Sequence, residues 1–444
     1  MNEWIEAEQR VERAHQMYRS GRWEEALREL RAALEIQPEQ GEWHFNMGLT
    51  LEALGRHTQA AGCYRRAAER CSHQPDIFNH LGAACLRAGR AGEAIEAFEQ
   101  AARLDPASQT PYVYRIEAYR QLGDHDNAET MFYAACQIDD AHPRTYLLMA
   151  QSLLDRGMAQ RAIACLERVK QLDRRDPDLH AHLGEAYRMQ GDLERARREY
   201  ARQVRLFPTD AMALLELGRV LAELGEPIEA AVQLRRAAEL DGGCADAHFE
   251  LGRIALEADH SDAAQLEFEA VLRLDPAYRG AHQNLAVIAL RRQQTRQARR
   301  HLAAELALLH VEPAGDRQDV EELSSLLMDA GMQRESMVLL RDLVDRAPGD
   351  AELWHQLAAA CFLAGELAAG LRYGRRAVGC DEQHLPAIQN MVVAHLRLAE
   401  LGRARYWLTR AQQIDPEDPL TRQLRGQLWV RGVAKYFRWR VKGR

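Results

Sequence analysis

The chain has 444 residues, of which 47% are hydrophobic and 28% charged, and its formal net charge is −8. This composition excludes a disordered, collagen-like or low-complexity protein. No apolar stretch approaches the roughly 20 residues that a membrane helix requires, and residues 1–16 show no secretory leader. The eight cysteines form no CxxC pair, so we expect a reduced compartment and a cytoplasmic protein.

A repeated pattern organises nearly the whole chain. After a lead-in at residues 1–6, a 34-residue pattern recurs nine times without a gap over residues 7–312. Residues 313–316 interrupt it, and three more copies fill residues 317–418. The insert either kinks the array or is a tolerated loop extension, and the sequence leaves both interpretations open. The last segment, residues 419–444, is predicted to be a basic amphipathic helix that caps the array.

The positions that must be small predict the shape of each copy. The twentieth position is Ala, Ser or Gly in all twelve copies, and the eighth is Gly, Ala or Ser in ten, as expected where two helices cross closely. The fifteenth position is Gly in nine copies, which predicts a helix end and a reversal of the chain. Each copy is therefore predicted to be a helical hairpin. The ninth copy, with Gln293 and Glu305, and the eleventh, with Gly370 and Gly374, are atypical and are expected to pack loosely.

This pattern resembles the tetratricopeptide repeat family, whose signature combines Leu-Gly, Tyr, Ala, an aromatic residue and Pro at fixed positions. The signature is nearly complete in two copies: in the third at Phe78, Leu81, Gly82, Gly89, Ala94, Phe98, Ala101 and Pro106, and in the sixth at Leu183, Gly184, Tyr187, Gly191, Ala196, Tyr200 and Pro208. The resemblance covers residues 7–418. It implies an all-α fold, a right-handed superhelical solenoid of helical hairpins whose first helices line a concave groove.

Catalytic motifs with known spacing are absent from the sequence. There is no phosphate-binding GxxxxGK loop, no GxGxxG, no HExxH and no GxSxG. His44, His180, His248 and His282 all occupy the fourth position of their copies, where the family places a bulky packing residue, so a structural role is favoured over metal binding. We therefore expect no catalytic residue, no metal and no cofactor.

In the groove that the resemblance implies, the inward positions of copies two to five are mostly apolar or amide side chains. The candidate binding residues are Phe45, Asn46, Leu49, Asn79, His80, Ala83, Val113, Tyr114, Leu147, Leu148 and Gln151. Such a surface suits an extended or helical peptide, because amides fix a backbone and apolar pockets hold side chains. The alternative is that some of them, Val113 and Leu148 especially, pack against neighbouring helices.

Copies seven to ten differ, because acidic side chains outnumber arginines at inward positions. The acidic set is Glu216, Glu223, Asp246, Glu250, Glu257, Glu321, Glu322 and Asp329, against Arg219, Arg253 and Arg291. A net negative wall would attract a basic segment. A solvated acidic face without a ligand is the alternative.

The final segment reverses the charge balance. Residues 419–444 hold eight basic and no acidic side chains, so the rest of the chain carries −16. A capping helix is the favoured interpretation. The alternatives are contact with an anionic membrane surface, with nucleic acid, or with the acidic groove of another copy. The candidate contact residues are Arg431, Lys435, Phe437, Arg438, Trp439 and Lys442. The acidic body argues against nucleic acid, which requires basic charge along the contact path.

Together these observations predict a non-catalytic scaffold or adaptor that binds a peptide segment or a protein surface in its groove. The alternative function is a membrane-associated assembly or tethering subunit that uses the basic helix. Self-association is left open by the sequence, and the identity of the partner is not encoded in any motif.

Overall fold

The computed structural model describes residues 2–311 and 317–442, with side chains for residues 3–309 and 317–431. The insert at 313–316 lies outside the described residues. The described part of the chain forms twenty-five α-helices and contains no strand, which confirms the all-α repeat fold. Two compact units are present, one ending at Leu240 and the other beginning at Asp241.

The first unit contains fourteen helices that pack in consecutive pairs. Their bounds are α1 Asn2–Arg19, α2 Trp23–Ile36, α3 Gly41–Ala53, α4 His57–Arg70, α5 Pro75–Arg87, α6 Ala91–Leu104, α7 Thr110–Gln121, α8 His125–Ile138, α9 Pro143–Asp155, α10 Ala159–Leu172, α11 Leu179–Met189, α12 Leu193–Leu206, α13 Ala211–Glu223 and α14 Pro227–Leu240. Short turns join the two helices of each pair, as in helical hairpins.

The second unit contains eleven helices in the same arrangement. Their bounds are α15 Ala245–Glu257, α16 Ser261–Leu274, α17 Ala281–Arg291, α18 Thr295–Val311, α19 Arg317–Asp329, α20 Gln333–Arg346, α21 Ala351–Leu363, α22 Leu367–Cys380, α23 Leu385–Arg397, α24 Leu401–Ile414 and α25 Pro419–Lys442. Leu424 and Leu428 of α25 are buried with Val392 and Leu408, so the first half of this helix is part of the core of the unit.

The turn inside each hairpin requires a left-handed backbone at the fifteenth position. All nine glycines there have φ between +71° and +84°. Asp259, Gln293 and Ala399 occupy the same position in the remaining three repeats and adopt the same conformation, with φ of 58°, 60° and 59°. The next amide closes the turn, as where Glu400 N donates to His395 O at 2.9 Å. The fold therefore imposes this conformation even where the residue disfavours it.

Close crossings of the paired helices explain the small residues. A Cβ atom added to Gly82 would lie 2.6 Å from the ring of Phe98, and one added to Gly252 would lie 2.8 Å from the ring of Phe268. Both rings are fully buried. A glycine at the eighth position and a large side chain at the twenty-fourth therefore fit together in each of these hairpins.

The atypical repeats are filled, contrary to the expectation of loose packing. In the eleventh repeat Phe362 packs against Gly370, and the sulfur of Met391 lies against Gly374. In the ninth repeat Glu305 is 3% exposed, and its carboxylate accepts the Gly280 amide at 2.8 Å at the start of α17. In the eleventh repeat, side chains from other positions therefore replace the missing contacts, and in the ninth the atypical Glu305 itself bonds to the backbone.

Candidate functional site

The odd-numbered helices of the first unit form a continuous surface, called here the odd-helix wall. Helix α7 contacts both α5 and α9, and α9 contacts α11. At two places an amide side chain and an imidazole ring connect neighbouring odd helices, α1 with α3 and α9 with α11. Asn46 Nδ2 lies 3.0 Å from His15 Nε2, and Gln151 Nε2 lies 2.9 Å from His182 Nε2. These bridges fix the spacing of the helices that carry the candidate residues.

The structure separates the eleven candidate groove residues into two groups. Eight remain partly exposed on the odd-helix wall, namely Phe45, Asn46, Leu49, Asn79, His80, Ala83, Tyr114 and Gln151. Val113, Leu147 and Leu148 are only 3%, 7% and 6% exposed. These three side chains pack in the core, which matches the alternative stated for Val113 and Leu148, so they offer little surface to a partner.

A largely buried carboxylate, that of Glu52, lies on the wall between α3 and α5. The side chain of Glu52 is 15% exposed, and one of its oxygens accepts the Tyr64 hydroxyl at 2.8 Å. Arg87 pairs with its other oxygen, and His80 Nδ1 lies 3.6 Å from the carboxylate. Burial raises the pKa of Glu52, but the nearby His80 imidazole, the hydrogen bond from Tyr64 and the charge of Arg87 outweigh it and lower the pKa to about 2.

Aromatic rings surround this carboxylate. The ring of Phe45 lies 5.5 Å from that of Tyr64 and 5.2 Å from that of His80. Burial and the neighbouring Glu52 raise the pKa of Tyr64, so its hydroxyl remains a donor. We call Phe45, Glu52, Tyr64, His80 and Arg87 the Glu52 cluster. In this cluster the partly exposed rings of Phe45 and His80 lie beside the ion pair of Glu52 and Arg87.

Replacing Glu52 by glutamine tests the cluster through its pH dependence. Because the pKa of Glu52 is lower in the folded chain, the ionised carboxylate stabilises the fold above about pH 4.5, and this stability is lost as pH falls toward 2. Glu52→Gln is expected to lower the free energy of unfolding by about 2 kcal/mol at neutral pH and to flatten the profile in that window. Hydrogen exchange of α3 and α5, compared between variant and wild type at each pH, measures both effects.

The matched control is Glu42→Gln, since Glu42 is exposed on the same helix. This control should follow the wild-type profile. A Glu52→Gln profile parallel to that of the wild type would contradict the role given to the carboxylate.

Sequence reasoning missed three members of the Glu52 cluster: Glu52, Tyr64 and Arg87. Glu52 and Arg87 stand at the twelfth and thirteenth positions of adjacent repeats, which the resemblance to the tetratricopeptide repeat family places on the inward face. Their opposite charges at neighbouring inward positions are the signal that would have found them. Tyr64 gave no such signal, because its position is that of a core aromatic.

Tyr114 forms a second, rigid feature of the wall. Its ring stacks on Phe98 with centroids 5.4 Å apart and an interplanar angle of 5°. The guanidinium carbon of Arg144 lies 4.8 Å from the centroid of the Tyr114 ring, and the same guanidinium lies 3.5 Å from Glu117. An aromatic ring held by stacking and by a cation loses little freedom on binding, which favours its use as an anchor.

Several buried polar atoms of the odd helices lack a hydrogen-bond partner within the described residues, and Oδ1 of Asn79 is one of them. In the part of the chain that the structure describes, no donor reaches the buried Oδ1 atom of Asn79. A buried acceptor without a partner is costly, and a peptide N–H group is a suitable donor for it.

Several of the acidic side chains at inward positions of repeats seven to ten form ion pairs with arginines. Glu216 pairs with Arg219 at 2.7 Å, and Arg253 lies 3.2 Å from Glu250 and 3.8 Å from Glu257. Glu257 and Glu322 line a pocket of about 670 Å³ in the second unit, together with Arg253 and Arg279. These arginines reduce the net attraction that the acidic side chains exert on a basic segment.

The histidines and cysteines have structural surroundings. His180 Nδ1 lies 2.7 Å from Glu199, His248 Nδ1 lies 2.7 Å from Glu267, and His44 Nε2 lies 2.8 Å from the Pro38 oxygen. No group of three metal-ligating side chains occurs in the described ranges. Burial raises the pKa of Cys63 and Cys165 to about 11, which keeps these thiols protonated at neutral pH.

The basic helix α25 is described only in part. Arg431 donates a hydrogen bond to the Leu396 oxygen of α23, and Trp429 is 70% exposed. The side chains of Lys435, Phe437, Arg438, Trp439 and Lys442 lie outside the described residues, so their proposed contacts stay predictions. Over the residues searched, no helix has the length and apolar character needed to cross a bilayer.

Three protein-family models match parts of the chain. The model of the cilia and flagella-associated protein 70 C-terminal domain matches residues 40–250, and two tetratricopeptide repeat models match residues 14–55 and 245–278. A BBSome complex member BBS4 homolog of Drosophila melanogaster is 40% identical over 65 residues, which is 14% of this chain and 13% of that protein.

The chain is also similar to solved structures. The human IFIT1 dimer with PPP-AAAA is 17% identical with a TM-score of 0.47, over 82% of this chain and 88% of that one. A thermophilic TPR protein of Thermus thermophilus is 22% identical with a TM-score of 0.37, over 41% of this chain and all of that one. From its repeat models and its all-helical hairpins, the chain belongs to the tetratricopeptide repeat family.

Proposed function

We propose that the chain is a non-catalytic scaffold that binds a peptide segment or protein surface on the odd-helix wall of its first unit. The observation that carries this proposal is the set of eight predicted residues that remain partly exposed there, on helices bridged by fixed polar contacts. Stacked hairpins of this kind present extended binding surfaces in repeat proteins.

The chemistry of the wall favours an extended or helical segment with apolar side chains. Leu49 and Ala83 supply half-buried apolar surface at the ninth position of adjacent repeats. Tyr114 supplies a rigid ring, and Asn79 supplies a partly exposed amide side chain. These features match the mode in which amides hold a backbone and pockets select side chains.

Membership of a protein assembly is supported by the partial likeness to a BBSome complex member, which covers 13% of that protein. The subunits of such an assembly are not named by this likeness. A cytoplasmic location, a membrane contact of α25 and self-association remain predictions. The absence of a nucleic-acid partner also remains a prediction, based on the −16 charge outside residues 419–444.

Site-specific photocrosslinking tests the proposal and identifies the partner. A benzoylphenylalanine placed at Ala83, on the odd-helix wall, is expected to capture a defined segment of a partner protein in native lysate. The matched control places the same group at Gln100, which is exposed on α6 of the same hairpin. Mass spectrometry of the crosslinked peptides reads out both. Capture of that partner from Gln100 and not from Ala83 would refute the proposal.

A further inference from the structure

A second groove of the first unit lies mainly between even-numbered helices, and none of the candidate binding residues of the odd-helix wall lines it. Helices α12 and α14 form its sides, and the buried Leu217 and Leu221 of α13 form its floor together with Val204. Its volume is about 570 Å³, enough for several side chains of a bound segment. We call it the α12–α14 groove.

Arginines surround this apolar floor. Five arginines and one glutamate, Glu229, line the groove. Arg197 pairs with Glu194 and Glu226, each at 2.9 Å, and Arg202 pairs with Glu199 at 2.7 Å.

The other three arginines have no acidic partner. Within the described residues, Arg198, Arg205 and Arg236 form no ion pair with a carboxylate. Arg205 instead donates to the Ala201 oxygen at 3.2 Å, and Arg236 to the Gln233 side chain at 3.3 Å. The rim of the groove therefore carries uncompensated positive charge.

The shape of this groove recurs elsewhere in the unit, but its charge does not. A groove of about 540 Å³ between α2 and α4 is lined by three arginines and three glutamates. There Arg70 pairs with Glu39 at 2.5 Å. Similar stacking thus produces similar grooves, and the excess of arginine distinguishes the α12–α14 groove from its counterpart.

We propose that the α12–α14 groove binds an acidic amphipathic peptide segment of a partner protein. Carboxylates of such a segment would pair with Arg198, Arg205 and Arg236, while its apolar side chains would cover Leu217 and Leu221. Nucleic acid fits less well, because phosphate chains require basic charge along an extended path and gain nothing from an apolar floor. This surface is separate from the odd-helix wall, so the chain would hold two partners at once.

Fluorescence anisotropy with the full-length chain tests this proposal. The probe is a labelled helical peptide of about 14 residues, roughly the length of α12, with Leu on one face and Glu on the other. The comparison probes are the same peptide with Lys in place of Glu and a labelled oligothymidine. We expect the Glu peptide to bind and the Lys peptide not to bind. Oligothymidine binding that exceeds binding of the Glu peptide would overturn the proposal in favour of a general polyanion site.

Two variants and a matched control locate the binding. Arg198→Glu with Arg236→Glu is expected to weaken the Glu peptide about tenfold or more, because two rim charges are reversed. Arg195→Glu with Arg235→Glu changes the net charge equally on the same helices, outside the groove, and should have little effect. Ala201→Trp fills the groove without changing charge and should also weaken the peptide. The proposal would be overturned if both groove variants bound the Glu peptide as tightly as the Arg195→Glu with Arg235→Glu control does. It would also be overturned if the wild type did not bind the Glu peptide.

Discussion

Replacing Phe98 by alanine is expected to lower the free energy of unfolding of the first unit by about 3–5 kcal/mol. Phe98 is fully buried against Gly82 and stacks on Tyr114, so its removal leaves a cavity at a helix crossing and releases the ring on the wall. Hydrogen exchange of α5 and α6 is the suitable measurement, since repeat arrays depart from two-state unfolding. The control Tyr133→Ala removes a ring that is 54% exposed and should change stability by less than about 0.5 kcal/mol.

A double-mutant cycle shows whether the crossing itself is responsible. Gly82→Ala alone should destabilise the unit by about 1–3 kcal/mol, because its Cβ would lie 2.6 Å from the Phe98 ring. In the Phe98→Ala background the same change should be neutral or stabilising, since the clash is gone and alanine favours a helix. Additive effects would mean that the two positions do not meet.

The second prediction concerns binding on the odd-helix wall. Leu49→Glu combined with Ala83→Glu places two charges on half-buried apolar positions of adjacent repeats. The partner segment captured at Ala83 should then bind at least about 30-fold more weakly, equivalent to about 2 kcal/mol. Isothermal titration calorimetry measures this loss, and circular dichroism checks that the helices persist. Leu147 would be a poor choice for this test, because a charge at a side chain only 7% exposed disrupts folding.

Much of the fold follows from the positions that must be small. The glycines at the fifteenth position predict the turns, and the small residues at the eighth and twentieth positions predict the crossings. Asp259, Gln293 and Ala399 could not be recognised as turn residues, because their intrinsic preference opposes a positive φ. The surrounding hairpin imposes the conformation, and this constraint is visible only in three dimensions.

The packing of the atypical repeats could not be predicted from the sequence either, because it also depends on neighbouring parts of the structure. The eleventh repeat lacks bulk at its own crossing, and Met391 of the following repeat supplies part of it. A position-by-position comparison of repeats cannot show such compensation between repeats.

The sequence predicted which helices carry the candidate site residues, but not how deeply each side chain is buried. The repeat position puts Phe45 and His80 on odd helices, where the structure leaves both partly exposed. It does not tell how deeply the side chain is buried, which depends on the neighbouring helices, and Leu147 and Leu148 are in the core as a result. The ion pair of Glu52 and Arg87 joins two repeats, so a reading of each repeat by itself misses it and a comparison of adjacent repeats is needed to find it.

The central claim is that the odd-helix wall of the first unit binds the partner, and one comparison of affinities tests it most directly. The captured segment is titrated into the wild type, into Leu49→Glu with Ala83→Glu, and into Gln59→Glu with Gln100→Glu. The last pair adds the same charge at exposed positions of α4 and α6 in the same two repeats. We predict a loss of at least about 30-fold for the wall variant alone. Equal affinities for the two variants would contradict the claim and move the binding site off the wall.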